Sequence, residues 1–240
     1  MPFPLAHPAA VLPLRRYCPK FFSFPALVLG AIAPDLGYFF GKSGVDELSH
    51  QLLGSVVFCL PIGLILLVLF YKFRSPFIRV LPAPYQRVIR PLCLRPASPF
   101  LTNCFSLLMG SWTHLAWDSF THQDGWLVAR LSILNAPLGF VAGHKVKVCH
   151  LLWYACSFIG VIIVCFSFMR SQKLAAGRIS TASAKADFTV AVLIALSLLP
   201  IELVHHLIVG GLGLVLAGGA TMLLLLVLAW GIGRGLPECA

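Results

Sequence analysis

The sequence predicts an all-α, polytopic membrane bundle of about six transmembrane spans, preceded by a short N-terminal re-entrant or interfacial helix. Three observations predict it. Apolar residues fill 59% of 240 positions and, with the 20 glycines added, about two-thirds of the chain, against ~45–50% in soluble domains. Charged residues are 11%, against ~25% in soluble domains, and mean hydropathy is +0.90. The apolar residues also fall in runs close to the ~20 helical residues that cross a hydrocarbon core. A soluble enzyme, a disordered chain and a collagen-like chain are excluded. The eight cysteines do not make a disulfide framework: Cys59, Cys104, Cys156 and Cys165 sit inside apolar runs and no C-x-x-C pair occurs, so they read as small hydrophobes.

In chain order, Phe3–Leu14 is apolar but broken by Pro8 and Pro13, and lacks the basic start of a secretory signal. Phe24–Phe40 is a short span carrying Asp35 near its end. Leu52–Phe73 is a clean span, and Phe100–Phe120 qualifies by length while carrying His114 and Asp118. Val148–Met169, Phe188–Val209 and Leu212–Gly233 complete the set, the last two separated only by Gly210 and Gly211, as in a tight hairpin. No internal repeat is evident. Two regions follow: a membrane-embedded domain over 1–174 that carries the candidate metal site, and a C-terminal hairpin of two spans over 175–240.

The net charge of +10 would suggest nucleic acid in a soluble protein. Here the basic residues lie between apolar runs without interleaved aromatics, so they read as topology signal, and nucleic acid is excluded as a partner. With the N-terminus inside, fourteen Lys and Arg fall on the cytoplasmic side; the other side holds four, Lys42, Arg130, Lys145 and Lys147. The loops Ser75–Pro99 and Ser171–Asp187 are then cytoplasmic, and Gln123–Lys147 is extracytoplasmic. The same topology puts Asp35, Asp46, Glu47, Asp118, Asp124 and Glu202 on the outer side. It also puts His50, His114, His122, His144, His150, His205 and His206 there. Metal-binding residue types thus gather at one membrane face.

The most informative stretch is Ser111-Trp-Thr-His-Leu-Ala-Trp-Asp-Ser-Phe-Thr-His122. On a helix, His114, Asp118 and His122 form one stripe with steps of ~6 Å. Adjacent members can share a metal; His114 and His122, ~12 Å apart on a straight helix, cannot. Asp118 can then bridge two metals, or His122 can act in proton transfer. The alternative is a polar stripe lining a water-filled crevice, although ionisable groups within a span are functional by default. Pro34-Asp35 places an acid where a helix is broken and water can reach it. His50 opens the next span beside Asp46 and Glu47, a position that on its own suits an interface residue. His7, taken singly, is an exposed N-terminal histidine. Glu47-x-x-His50 and Glu202-x-x-His205 share the spacing found in carboxylate-bridged di-iron bundles; the simpler reading of Glu202 is a buried partner or a crevice acid. No phosphate-binding loop, nucleophile elbow or His-Glu-x-x-His helix occurs.

Taken together, MPFPLAHPAAVLP, GAIAPDLGYFF, SHQLLG and GSWTHLAWDSFTHQDGW resemble an uncharacterised bacterial membrane family, domain of unknown function 4184. The resemblance covers about the first two-thirds of the chain, and beyond Leu174 only generic apolar spans remain. More distantly, the order of motifs is similar to LexA-binding, inner-membrane-associated metal-dependent hydrolases and, through them, to zinc-dependent phospholipase C. Those hydrolases carry an Asp-x-Asp-His after the proline and a His-x-x-x-x-His before the span; here Asp35 is followed by Leu-Gly-Tyr and only His50 remains.

The resemblance implies a ligand set of His7, Asp35, His50, His114 and Asp118, with Asp118 and His122 as catalytic residues. It implies one or two divalent ions, zinc above others. The implied activity is metal-dependent hydrolysis at a phosphoryl or acyl group; the expected location, which the basic-residue count puts at the extracytoplasmic face of the bacterial inner membrane, favours a membrane lipid, a lipid-like molecule or another phosphoester as substrate. Arg130, Lys145 or Lys147 would hold an anionic headgroup. If His7 is a ligand, it must reach the outer cluster while Arg15, Arg16 and Lys20 hold its flank inside. The eight residues from His7 to Arg15 extend ~12 Å as a helix, so Phe3–Leu14 is expected to be re-entrant or interfacial, with His7 at its buried start. The competing readings are a transporter or proton relay lined by the same residues, and a metal that only pins helices together. A transport path predicts polar groups along the full membrane depth; their collection at one face favours a site.

Overall fold

A computed structural model describes residues 4, 6–40, 44–80, 86, 90, 96–141 and 144–175. The expected spans Phe188–Val209 and Leu212–Gly233, with Glu202, His205 and His206, lie outside the described residues. The chain divides into two compact units, Met1–Leu67 with Ser98–Val164, and Val68–Ala97 with Cys165–Ala240. The site lies in the first.

That unit opens with α1, Pro8–Tyr17. Proline at the first helical position costs no hydrogen bond, because that N–H has no intrahelical partner anyway. At ten residues the helix is ~15 Å long, too short to cross a bilayer. It runs past Leu14 to the residue after Arg16, further than the apolar stretch alone suggests. Next comes α2, Phe24–Ile32, which gives way to a 3-10 helix over Ala33–Phe40. Pro34 explains the change: it offers no N–H to the carbonyl of Gly30, and its ring crowds that turn. Phe24–Phe40 is therefore a short apolar helix in two pieces rather than one long span.

The short α3 (Val45–Ser49) and α4 (Leu52–Gly54) follow. A π-helical turn over Ser55–Cys59 joins α4 to α5, Leu60–Val80. In that turn the Leu60 N–H donates to the Ser55 carbonyl. Pro61 lies next, and a missing N–H in the ladder is a usual cause of such a widened turn. After a gap come α6, Phe100–Thr121, and α7, Trp126–Arg130. Then two strands, β1 (Pro137–Val141) and β2 (His144–Lys147), pair antiparallel and lead into α8, Val148–Ala175. This small hairpin departs from an all-α fold. Pro137 and Gly139 disfavour helix there, and the alternation Leu138/Phe140 against Lys145/Lys147 suits a strand.

Among the described residues, two helices are long and apolar enough to cross a membrane, Leu52–Pro76 and Val148–Ser171, of 25 and 24 residues. They match two of the expected spans. They expose Val56, Val57, Ile65, Val68, Leu151, Ile159 and Ile163, an apolar surface of the kind that marks a membrane or partner contact. Helix α6 has the expected length of 22 residues but buries a polar stripe: Asn103, Ser106, Ser111, His114, Asp118 and Thr121.

The pairing of α2 with α6 positions the site. A Cβ on Gly30 would run into the Leu107 carbonyl, and one on Gly110 into the backbone of Leu27 and Ala31. The two backbones therefore touch, as small residues permit between apolar helices. The Ser23 N–H at the start of α2 donates to Ser106 Oγ of α6 at 2.9 Å, which fixes the register. Val11 of α1 closes the core over Leu27 and Ala31, with Leu14, Phe22, Val28 and Met109 around it. Gly110→Ala should therefore lower stability by about 1–3 kcal/mol, the usual cost of overpacking, read as a drop in melting temperature in detergent. An unchanged melting temperature would mean that the two backbones are not in contact.

Candidate metal centre

Five side chains from four segments meet beside the last turns of α6. His114 and Asp118 come from α6 itself, one turn apart, with His114 Nε2 3.1 Å from Asp118 Oδ2. Asp35 comes from the 3-10 helix, its Oδ1 3.3 Å from the same nitrogen. A side chain delivered from a proline-broken turn has no regular helix face to follow, so it can be aimed sideways at α6. His50 ends α3 and brings its Nε2 to 3.6 Å from Asp35 Oδ1 and 3.7 Å from Asp118 Oδ2. His7 lies immediately before α1, its Nε2 3.8 Å from Asp118 Oδ1. Its ring stacks on that of His114 with centroids 3.7 Å apart and planes inclined by 21°, and it meets the Trp117 ring in a T-shaped contact with centroids 5.9 Å apart. Gly160 of α8 leaves the space that Ala6 occupies, since a Cβ there would meet Ala6. The start of α1 is thereby pressed into the core, and His7 is buried rather than exposed.

Two backbone carbonyls, Ala31 and Asp46, set the chemistry of the histidines. His114 Nδ1 donates to the Ala31 carbonyl at 2.8 Å, and His50 Nδ1 donates to the Asp46 carbonyl at 2.8 Å. A carbonyl can only accept, so each Nδ1 carries a hydrogen, and in the neutral form of the ring that a metal ligand requires, Nε2 presents the lone pair. Both Nε2 lone pairs face carboxylate oxygens. This is the outer support typical of metal-binding histidine, in which the non-ligating N–H is fixed by a carbonyl. Neither carbonyl has a sequence motif, although Asp46 stands four residues before His50.

The buried acceptors are left without hydrogen-bond partners. Both oxygens of Asp35, both oxygens of Asp118, and Nε2 of His7, His50, His114 and His122 are unpartnered. Charge-assisted N–H···O bonds are ~2.7–2.9 Å long, whereas the contacts here run from 3.1 to 3.8 Å. Around an ion with bonds of ~2.0–2.2 Å, tetrahedral ligand atoms stand about 3.3–3.6 Å apart. The spacing fits ligands awaiting a shared cation better than it fits ion pairs. Among the described residues, two triads can hold an ion: His7, His114 and Asp118; and Asp35, His50 and His114.

All five residues of the expected ligand set are thus brought together. His122 stands at their edge. Helix α6 ends at Thr121, and His122 adopts extended backbone, so the stripe does not continue as a straight helix. Its Nδ1 lies 3.5 Å from Asp118 Oδ1, but it belongs to neither close triad. Burial lowers its pKa to about 4, which keeps the ring neutral at pH 7. Glu47 is exposed and outside the group, so the Glu47-x-x-His50 spacing delivers only its histidine.

Fold and site together define a mostly helical protein whose core carries a buried His/Asp group able to hold a metal ion. The chain belongs to the family described as a domain of unknown function, DUF4184, whose family model matches residues 1–233. The match runs well beyond Leu174, so the C-terminal stretch, which carries none of the motifs, is also part of the family pattern. No curated protein and no solved structure matches the chain.

Proposed function

We propose that the protein is an integral-membrane, metal-dependent hydrolase of a lipid-like or phosphoester substrate, its site at the extracytoplasmic face of the bacterial inner membrane. One observation carries the reading: three histidine nitrogens and two carboxylates, buried and unpartnered, converge in two overlapping triads within ligand distance, with His122 at their edge. The nitrogen and carboxylate mixture suits zinc, with manganese the next candidate. A bound divalent ion would supply Lewis acidity, lowering the pKa of water and polarising a phosphoryl or acyl oxygen. Asp35, His50, His114 and Asp118 would hold it. His122, neutral and beside Asp118, would accept a proton from the attacking water and return it to the leaving oxygen.

Surroundings support a lipid-like substrate. The exposed apolar faces of the Leu52–Pro76 and Val148–Ser171 helices favour residence in a bilayer. Helix α7 starts against the end of α6, where Gly125 leaves room for the carbonyls of Asp118 and Ser119. It carries Arg130, whose guanidinium lies over the Trp126 ring at 4.0 Å. A basic group on an interfacial aromatic suits an anionic headgroup, and Lys145 and Lys147 follow on β2.

The test is hydrolysis by purified protein in nanodiscs, offered a chromogenic phosphodiester and mixed phospholipid. Turnover should require added zinc or manganese, stop with chelator and be absent in His114→Ala. Full metal loading without hydrolysis of either substrate would leave the metal a structural role and overturn the proposal.

A further inference from the structure

We propose, resting on the metal reading above, that Ser49 and Cys59 are positioning residues that bring His50 into place against His114 and Asp118 without touching the ion. His50 needs such help. It ends α3, which at five residues is too short to hold itself as a helix. The bond from its Nδ1 to the Asp46 carbonyl stays within that one turn. That bond orients the ring on α3 but does not set where α3 stands relative to α6.

Ser49 supplies the link. It is fully buried, and its Oγ donates to the Asp46 carbonyl at 2.9 Å. The same oxygen lies 3.1 Å from His50 Nδ1, a second acceptor for that N–H. The Ser49 backbone carbonyl accepts a bond from Cys59 Sγ at 3.4 Å. Cys59 ends the π-helical turn, and the turn is fastened to α6. Trp112 Nε1 donates to Ser55 Oγ at 3.0 Å, and the Cys59 thiol lies beside Ser111. Ser111 and Trp112 stand three and two residues before His114, so the path from His50 reaches the turn of α6 that leads into His114.

Two glycines close the other sides. A Cβ on Gly37 would strike Ser49 Oγ, and one on Gly54 would strike the Leu48 carbonyl. Gly37 follows Asp35 by two residues in the 3-10 helix. Ser49 is thus packed directly on the segment that delivers Asp35 and tied through Cys59 to the helix that delivers His114 and Asp118. The widened turn gains a use here. Turns of this kind are frequent at functional sites, and this one meets α6 at both ends and Ser49 at one. Composition reads Cys59 as a small hydrophobe, but in the fold its thiol is a donor. Ligating histidines rely on such outer partners, whose loss typically costs 10–100-fold in metal affinity.

The experiment uses the full chain, stripped of metal and titrated with Co²⁺, reading affinity and the visible d–d bands, which follow coordination geometry. Ser49→Ala should bind Co²⁺ about 10–100-fold more weakly, with altered bands. Cys59→Ala should move both readings the same way, and Cys59→Ser, which keeps a donor, should return them toward wild type. The effect should run through His50: added to His50→Ala, Ser49→Ala should cost no further affinity, because residues acting on one contact are not additive. A residue that only fills space would shift the melting temperature and leave the bands alone. Wild-type affinity and bands in Ser49→Ala overturn the proposal, and so does full additivity with His50→Ala. Should Ser49→Ala not fold, the Cys59 pair decides, and equal affinity in Cys59→Ala and Cys59→Ser overturns it. A wild type that binds no Co²⁺ removes the metal reading and the positioning role with it. Binding by wild type with Ser49→Ala unaffected removes the positioning role alone.

Discussion

Asp118→Asn is expected to empty the centre. Both Asp118 oxygens face histidines, His114 and His50 on one side and His7 and His122 on the other, so one substitution touches every part of the site. Replacing an outer-shell partner of a metal ligand typically costs 10–100-fold in affinity; loss of a ligating carboxylate should exceed that. We expect affinity for zinc to fall by more than about 100-fold, equivalent to over ~2.8 kcal/mol at 1.4 kcal/mol per decade. Hydrolysis should fall with it. The amide keeps the volume and polarity of the side chain, so helix α6 should remain formed. Metal content and circular dichroism on the same sample decide the matter. A folded Asp118→Asn protein carrying wild-type zinc would remove Asp118 from the site.

Asp35→Asn should have opposite effects on binding and on stability. Without metal, the Asp35 and Asp118 carboxylates meet at one histidine nitrogen with no hydrogen bonds of their own. A buried charge left uncompensated costs several kcal/mol. Removing one of the two should therefore raise the melting temperature of the metal-free protein while weakening metal binding. Wild type should gain from zinc instead. At a free concentration of 1,000 times Kd, binding adds ~4 kcal/mol, or about 8–16 °C for a chain of this size. Thermal unfolding of both proteins, with and without zinc, gives the four values required. If metal-free Asp35→Asn melts below wild type, protonated histidines rather than a cation balance the carboxylates, and the metal assignment falls.

Much of this site is legible along the chain because its spacing is local. His114 and Asp118 sit one turn apart, and a helix needs no further information to put them on one face. Pro34 announces the broken turn that turns Asp35 toward α6. The helical segments follow from apolar runs, so Leu52–Pro76 and Val148–Ser171 were predictable nearly to their ends. Phe24–Phe40 was harder, since its composition suits a span and only one proline divides it. The non-local facts left no such trace. The burial of His7, which the resemblance led one to expect and local spacing did not, depends on Gly160, more than 150 residues away, leaving room for Ala6. The tautomers of His114 and His50 depend on the carbonyls of Ala31 and Asp46, and a carbonyl has no letter in a sequence. The β1–β2 hairpin needs strand pairing, which hydropathy does not register in a chain so rich in apolar residues. His122 departs from its stripe because α6 stops one residue too soon.

The burial of His7 also orders events during synthesis. His7 leaves the ribosome well ahead of its partners, since Asp118 follows 111 positions later and Gly160 later still. At ~5–20 residues per second, roughly 6–20 s pass before His7 has its principal partner, and more before α8 can hold α1 in place. Through that interval α1, with basic residues only at its C-terminal end, has α2 to pack on but lacks the helices that bury His7. The centre therefore cannot be built on the nascent chain piece by piece. It closes late, when an early segment docks against helices made long after it, and metal has to arrive at a protein in which α6 and α8 have already formed.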